Sequence, residues 1–187
     1  MISKSTIEKI EEIVLREQGV TPSPFHISLS NREGQKIAGI LSANKEIVIL
    51  GTLFMDCALG EALQQGKLKE HVKMSVGKAE KILNEFSEIT EVERENIINC
   101  IKEHHGTNKF FSLESEIVCN ADCYRFISVE GIIGGIKNFR DIEVSDLVIL
   151  WLEKADEKWS ALSLDICKKE LEPQYRVIKE FLENYKN

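Results

Sequence analysis

Six side chains carry the chemistry this sequence offers: His26, Asp56, His71, the adjacent pair His104 and His105, and Asp122. The chain has only four histidines, and all of them are in this set. Imidazole nitrogens and carboxylate oxygens are the donors that Mn, Fe, Ni or Zn ions take. Asp56 poses the question most sharply, because it sits in the almost wholly apolar run GTLFMDCALG, Gly51 to Gly60. An unpaired carboxylate in an apolar interior costs several kcal/mol or takes up a proton. A divalent cation beside it would account for its presence; so would a salt bridge to Arg125, or a helix end that leaves it wet. A single histidine is most simply read as a partly buried ring hydrogen-bonded to a neighbour. The joint pattern is harder to dismiss in that way.

The elements that must position these groups read as helices. Only three prolines occur, at 22, 24 and 173, so the long middle of the chain is free of the strongest helix breaker. Ser23-Pro24 suits a helix start, with serine as cap and proline in the first turn, and places His26 just inside. The run from about Glu46 to Asp56 is apolar on all sides, as a central helix is, although periodicity alone also admits a buried strand. From about Leu68 to Phe86, Val72, Val76, Ala79, Leu83 and Phe86 form an inward stripe with His71 and Ser75 on or beside it. Thr90 to Glu93 matches a capping box and Gly106 supplies a stop, predicting a helix whose Ile97, Ile98, Ile101, His104 and His105 share one face. A further helix is expected over about Leu113 to Ser128, with Val118, Ala121, Asp122 and Arg125 on one side. Helical patterns continue from about Val144 to Tyr185, where Trp151 and Trp159 are available for packing. The fold class expected is all-α, a compact helical bundle forming one domain over residues 1–187.

Composition narrows the function. The 187 residues suffice for one substantial core, and the formal net charge of -7 argues against a general nucleic-acid or anionic-membrane binder. No apolar segment approaches the roughly 20 residues a membrane-spanning helix needs. The N-terminus MISKSTIEKIEEIV reads as an amphipathic helix rather than a signal peptide, so a cytoplasmic location is expected. The five cysteines are odd in number, scattered and mostly in apolar runs, as reduced thiols are. Cys119 and Cys123 lie one helical turn apart, but no second pair exists to complete a zinc site.

In order and separation the six residues resemble the HD-domain superfamily, all-α metal-dependent phosphohydrolases. The likeness covers about Phe25 to Ile127. It rests on His26, on Met55-Asp56, on His71 in LKEHVKMSVGKAEKIL, on His104-His105 in IINCIKEHHG, and on Asp122 in LESEIVCNADCYRF. It implies an HD-like core over about residues 25–128 followed by C-terminal helices over 141–185. It further implies that His26, Asp56 and Asp122 bind a principal metal. In binuclear branches Asp56 would bridge to a second ion held by His71 and His104, with His105 an additional candidate. The sequence departs from the family where its namesake doublet should be: Met55 stands in place of the histidine, and a thioether is a poor ligand for a hard or borderline divalent ion. Ala58 and Leu59 replace the glycine and lysine that often follow.

The activity so implied is hydrolysis of a phosphate ester, a nucleotide or another small phosphorylated molecule, by water activated on the metal. Asp56 would be ligand and bridge. Asp122 would be ligand or orient the water, and His104 or His105 would be ligand or proton donor to the leaving oxygen. Lys73, Lys109 and Arg125 are candidate phosphate contacts, and the loops Gly60 to Lys69 and Gly106 to Ser112 would shape the pocket. The alternative is a catalytically inactive HD-like binding or regulatory module. A di-iron oxygenase, a third class, requires the histidine absent at Met55, and homo-oligomerisation stays open.

Overall fold

The computed structural model describes residues 2–18, 21–136 and 142–186. The ends of the expected single domain, residues 1 and 187, and residue 141, where the C-terminal helices were expected to begin, lie outside the described residues. The described residues are all-α: α1 (Lys4–Gln18), α2 (Pro24–Leu41), α3 (Lys45–Phe54), α4 (Leu59–Gln64), a 3-10 turn (Leu68–Glu70), α5 (His71–Leu83), α6 (Glu91–Glu103), α7 (Leu113–Ile127), α8 (Val129–Ile136), α9 (Val144–Ala161) and α10 (Asp165–Lys186). Among them no helix is long and apolar enough to cross a membrane.

The helix starts follow from local chemistry. Ser23 Oγ accepts from the His26 N–H at 3.2 Å, with Pro24 in the first turn of α2. Asn44 Oδ1 accepts from Ile47 N at 3.2 Å and starts α3. The capping box of α6 is complete, with the Glu93 N–H donating to Thr90 Oγ1 and the Thr90 N–H donating to Glu93.

Packing then places α7 at the centre, in contact with α2, α3, α6, α8, α9 and α10. Eleven of its side chains are buried, Asp122 and Arg125 among them. Helix α3 is apolar around its whole circumference and lies against α2, α6 and α7. The approach is close at Gly51, where a β-carbon would come within 2.8 Å of Cys100 Cβ and of Val118 Cγ2. A separate apolar cluster joins α8, α9 and α10 through Ile132, Leu147, Trp151, Leu152, Ile178 and Leu182.

The structure differs from the sequence expectations at three places. Helix α3 stops at Phe54, so Met55 and Asp56 lie in the turn beyond it rather than inside a helix. The expected helix from Leu68 begins as a 3-10 turn, and regular α-helix starts only at His71. The segment Gly60 to Lys69 is partly helical, as α4. In addition, α8 had no expected counterpart. Its three glycines oppose helix by propensity, but Gly134 lies where a β-carbon would run into the Phe25 ring, so the tight seat of α8 on α2 demands glycine.

Candidate metal and phosphate site

Six elements deliver the site. The turn after α3 carries Asp56 and is pinned to α5 by Ser75, whose Oγ accepts from Ala58 N at 3.2 Å. His71 opens α5, and His104 and His105 follow the last turn of α6. Asp122 and Arg125 lie one turn apart on α7, and α2 brings His26. The sixth contribution, Lys158 of α9, is 1% exposed. Sequence reasoning missed it, yet a signal was present: it continues the buried stripe Val148, Trp151, Leu152 and Ala155, where a lysine needs a buried anion.

Charges on one side of Asp56 are fully matched. Arg125 Nη1 donates to Asp56 Oδ2 at 2.6 Å and to Asp122 Oδ1 at 2.8 Å. Lys158 Nζ holds Asp122 Oδ2 at 2.6 Å. Burial alone would raise both carboxyl pKa values, but Arg125 and then His104 hold Asp56 well below the usual range, and Lys158 followed by Arg125 does the same for Asp122. Burial works to lower the ammonium of Lys158, and the Asp122 charge more than reverses it, so that pKa lies above its ordinary value.

On the other side the imidazoles gather. One nitrogen each of His71, His104 and His105 lie within 4.8 Å of one another. Asp56 Oδ1 stands 3.6 Å from His71 Nε2 and from His104 Nε2, too long for hydrogen bonds. Their tautomers follow from their partners, because a carbonyl oxygen only accepts. His71 Nδ1 faces Leu68 O at 2.7 Å and His104 Nδ1 faces Ile101 O at 2.7 Å, so both Nδ1 atoms carry a proton and Nε2 is the nitrogen left with a lone pair whenever the ring is neutral. His104 Nε2 is buried with no hydrogen-bond partner.

His105 is arranged the opposite way. Its Nδ1 takes a hydrogen bond from Lys158 Nζ at 3.0 Å, so its proton sits on Nε2 and points at His71 Nε2, 3.0 Å away. Burial, with His104 and Lys158 alongside, pushes its pKa down to about 3, which keeps the ring neutral. For Nε2 of His105 to act as a ligand the proton must move to Nδ1. Glu157 Oε1, 3.5 Å away, can accept it, while Lys158 keeps Asp122.

His26 and Asp122 lie on the Arg125 side. His26 Nε2 faces Gly131 O at 3.4 Å, and burial followed by the Arg125 charge lowers its pKa to about 4. Met55 is 1% exposed and belongs to the main apolar core. Lys73 and Lys109 are exposed and do not line the cavity described below.

A cavity of about 610 Å³ opens onto these groups. His26, Asp56, His71, His105, Asp122 and Arg125 reach it, and His104 stays behind them. Apolar walls come from Leu59, Leu63, Leu68 and Phe126. The loop Gly60 to Lys69 contributes Leu63, Leu68 and Lys69, whereas Thr107 to Ser112 line a different depression of about 480 Å³.

The fold is shared with proteins of known structure. A predicted HD superfamily hydrolase from an uncultured Thermotogales bacterium matches with a TM-score of 0.66 at 15% identity, covering 95% of this chain and 90% of that one. The chain has an HD-domain-like fold. A protein from Lactobacillus plantarum matches the HD-like chain with a TM-score of 0.72 at 18% identity, covering 100% of this chain and 97% of that one. No protein-family model matches the sequence, and no curated protein matches it either.

The donor set on the histidine side fits a divalent ion. Two imidazole lone pairs and a carboxylate oxygen converge, one of the lone pairs is a buried orphan, and the Nδ1–H bonds to carbonyls fix the ring orientations as metal-bound histidines require. His71, His104 and His105 form a group that could hold a metal ion.

Proposed function

We propose that this HD-like protein is a metal-dependent phosphohydrolase acting on a small phosphate ester. His71 Nε2, His104 Nε2 and Asp56 Oδ1 would hold the ion, with His105 joining after its proton shift. The observation that carries this reading is the buried, unpartnered Nε2 of His104 beside two further imidazoles and a carboxylate. The Nδ1–H bonds of His71 and His104 to carbonyl oxygens leave Nε2 of each ring as the nitrogen that a metal would take. Bound there, a divalent ion would lower the pKa of a water toward about 7 and offset charge on a phosphoryl oxygen.

The chain's own residues would do the rest. The cavity lining holds Lys69, Arg125, Lys154 and Lys158 against Asp56, Asp122 and Glu157, a local excess of cations in a chain of net charge -7. Such a lining attracts an anion. Asp122, braced by Arg125 and Lys158, is suited to orienting the attacking water rather than to taking its proton, because its pKa is depressed. The apolar walls would receive the organic part of the ester and exclude water from it.

Elemental analysis of protein purified without chelator tests the first half, with Mn, Fe, Ni or Zn expected. A panel of phosphomonoesters, nucleotides and cyclic dinucleotides with added Mn²⁺ tests the second. Phosphate release is expected, and it should vanish in His104→Ala and in Asp122→Ala. One observation favours a second reading, a binding module without turnover: Arg125 already neutralises the carboxylates without any metal. Absence of thermal shift with all four ions, together with no release from the panel, would decide for that module.

A further inference from the structure

We propose that Arg125 permanently takes the place of a cation between Asp56 and Asp122, so that the site accepts one divalent ion, on the histidine side, and no second. The inference rests on the metal reading above for the first ion, and on independent geometry for the exclusion of the second.

Three observations from different elements meet at the space between the two carboxylates. The guanidinium fills it: Nη1 of Arg125 lies 2.6 Å from Asp56 Oδ2 and 2.8 Å from Asp122 Oδ1. The side chains of Arg125, Asp56 and Asp122 are 6%, 8% and 2% exposed, so displacing the guanidinium would break both of its carboxylate pairs where little water replaces them. A guanidinium stays charged at every accessible pH, so a metal could enter only by evicting it. On α2, His26 directs Nε2 at Gly131 O, 3.4 Å away, and therefore offers there an N–H instead of a lone pair. Beyond α3, Met55 is committed to the apolar core.

Charge balance points the same way. Asp56 and Asp122 contribute two negative charges, and Arg125 and Lys158 contribute two positive ones. The half of the site they occupy is neutral before any ion arrives. A single divalent ion among the imidazoles then adds positive charge matched to a phosphate dianion. A second would place a divalent charge directly against the guanidinium.

Manganese stoichiometry tests the proposal without reference to activity. Protein stripped with chelator, reloaded with Mn²⁺ and desalted should retain one equivalent per chain. Arg125→Ala, with folding verified by circular dichroism, should retain two, because the carboxylates regain an open position. Since that variant leaves buried charge behind and can fail to fold, Asp122→Asn provides an independent arm. Its Mn²⁺ affinity should fall by less than about tenfold, through the lost negative charge alone, whereas loss of a true ligand would cost about a hundredfold or more. Two equivalents in the unmodified protein, or such a loss in Asp122→Asn, would overturn the proposal. No manganese in the unmodified protein but one equivalent in Arg125→Ala would uphold the role of Arg125 and refute the histidine site. None in either would refute both.

Discussion

The two oxygens of Asp56 look onto halves of the site that are built differently. Oδ2 enters a closed network in which Arg125 and Lys158 satisfy two carboxylates at 2.6 to 2.8 Å. Oδ1 faces two imidazole nitrogens at 3.6 Å, one of them a buried atom with no partner at all. His104 is as deeply buried as Arg125 and Asp122, so for that atom water does not explain the difference. A buried polar group left unpaired costs free energy, and a fold that pairs both carboxylates on one side but leaves His104 Nε2 without a hydrogen bond on the other leaves room for something that binds. The complete half reads as structure, the incomplete half as a receptor for a cation.

That contrast can be broken by substitution. Removing Arg125 should be the most damaging change: Arg125→Ala in chelator leaves Asp56 buried without its partner and should cost about 3–5 kcal/mol. Thermal melts would register this as a fall of very roughly 10 °C. Met55→Ala should cost about 3 kcal/mol by opening a core cavity while leaving metal affinity unchanged, as expected of a residue outside the site. If Met55→His instead tightened metal binding, residue 55 would belong to the site after all.

His104→Ala should weaken metal binding by about a hundredfold or more. The same substitution in chelator should affect stability far less than Arg125→Ala, because it removes an unpartnered nitrogen; isothermal titration and melts would separate the two effects. A smaller effect comes from pH. His26 titrates near 6.5 when unfolded but only at about 4 in the fold, so between those values the unfolded chain binds the proton the native chain refuses. Stability of the metal-free protein should therefore decline as pH falls from 6.5 toward 4, with His26 accounting for about 2 kcal/mol at pH 5; His105, held at about 3, acts in the same direction, so His26→Gln should reduce that slope without abolishing it. Smallest is Thr90→Ala at the far end of α6, about 1 kcal/mol through the lost cap, with metal affinity untouched.

Much of the fold was legible because its signals are local. Ser23 before Pro24, the capping box from Thr90, and the apolar circumference of α3 each depend on residues within a turn or two of one another. What escaped was decided by contacts between elements. Helix α8 is poor in helix propensity, and its glycines sit where neighbours approach closely: Gly131 against the Tyr124 and Arg125 carbonyls, Gly134 against Phe25 and Gly135 against His26 and Trp151. Asp56 was read within the helix, whereas the chain turns at Met55 and Ser75 pins that turn.

At the site, residue types and order were enough to nominate His26, Asp56, His71, His104, His105 and Asp122, since side-chain chemistry is a property of the residue alone. They did not reveal that Arg125 would stand between the two aspartates or that Lys158, 33 residues beyond Arg125, would complete the network. Nor did they distinguish the lone pair of His104 from the N–H of His105, although the two residues are adjacent. Those facts depend on which carbonyl, ammonium or carboxylate lies opposite each atom: the Ile101 carbonyl opposite His104 is local to α6, but Arg125 of α7 and Lys158 of α9 are brought in only by packing. The sequence determined which groups could bind a cation; the tertiary structure decided which of them already had one.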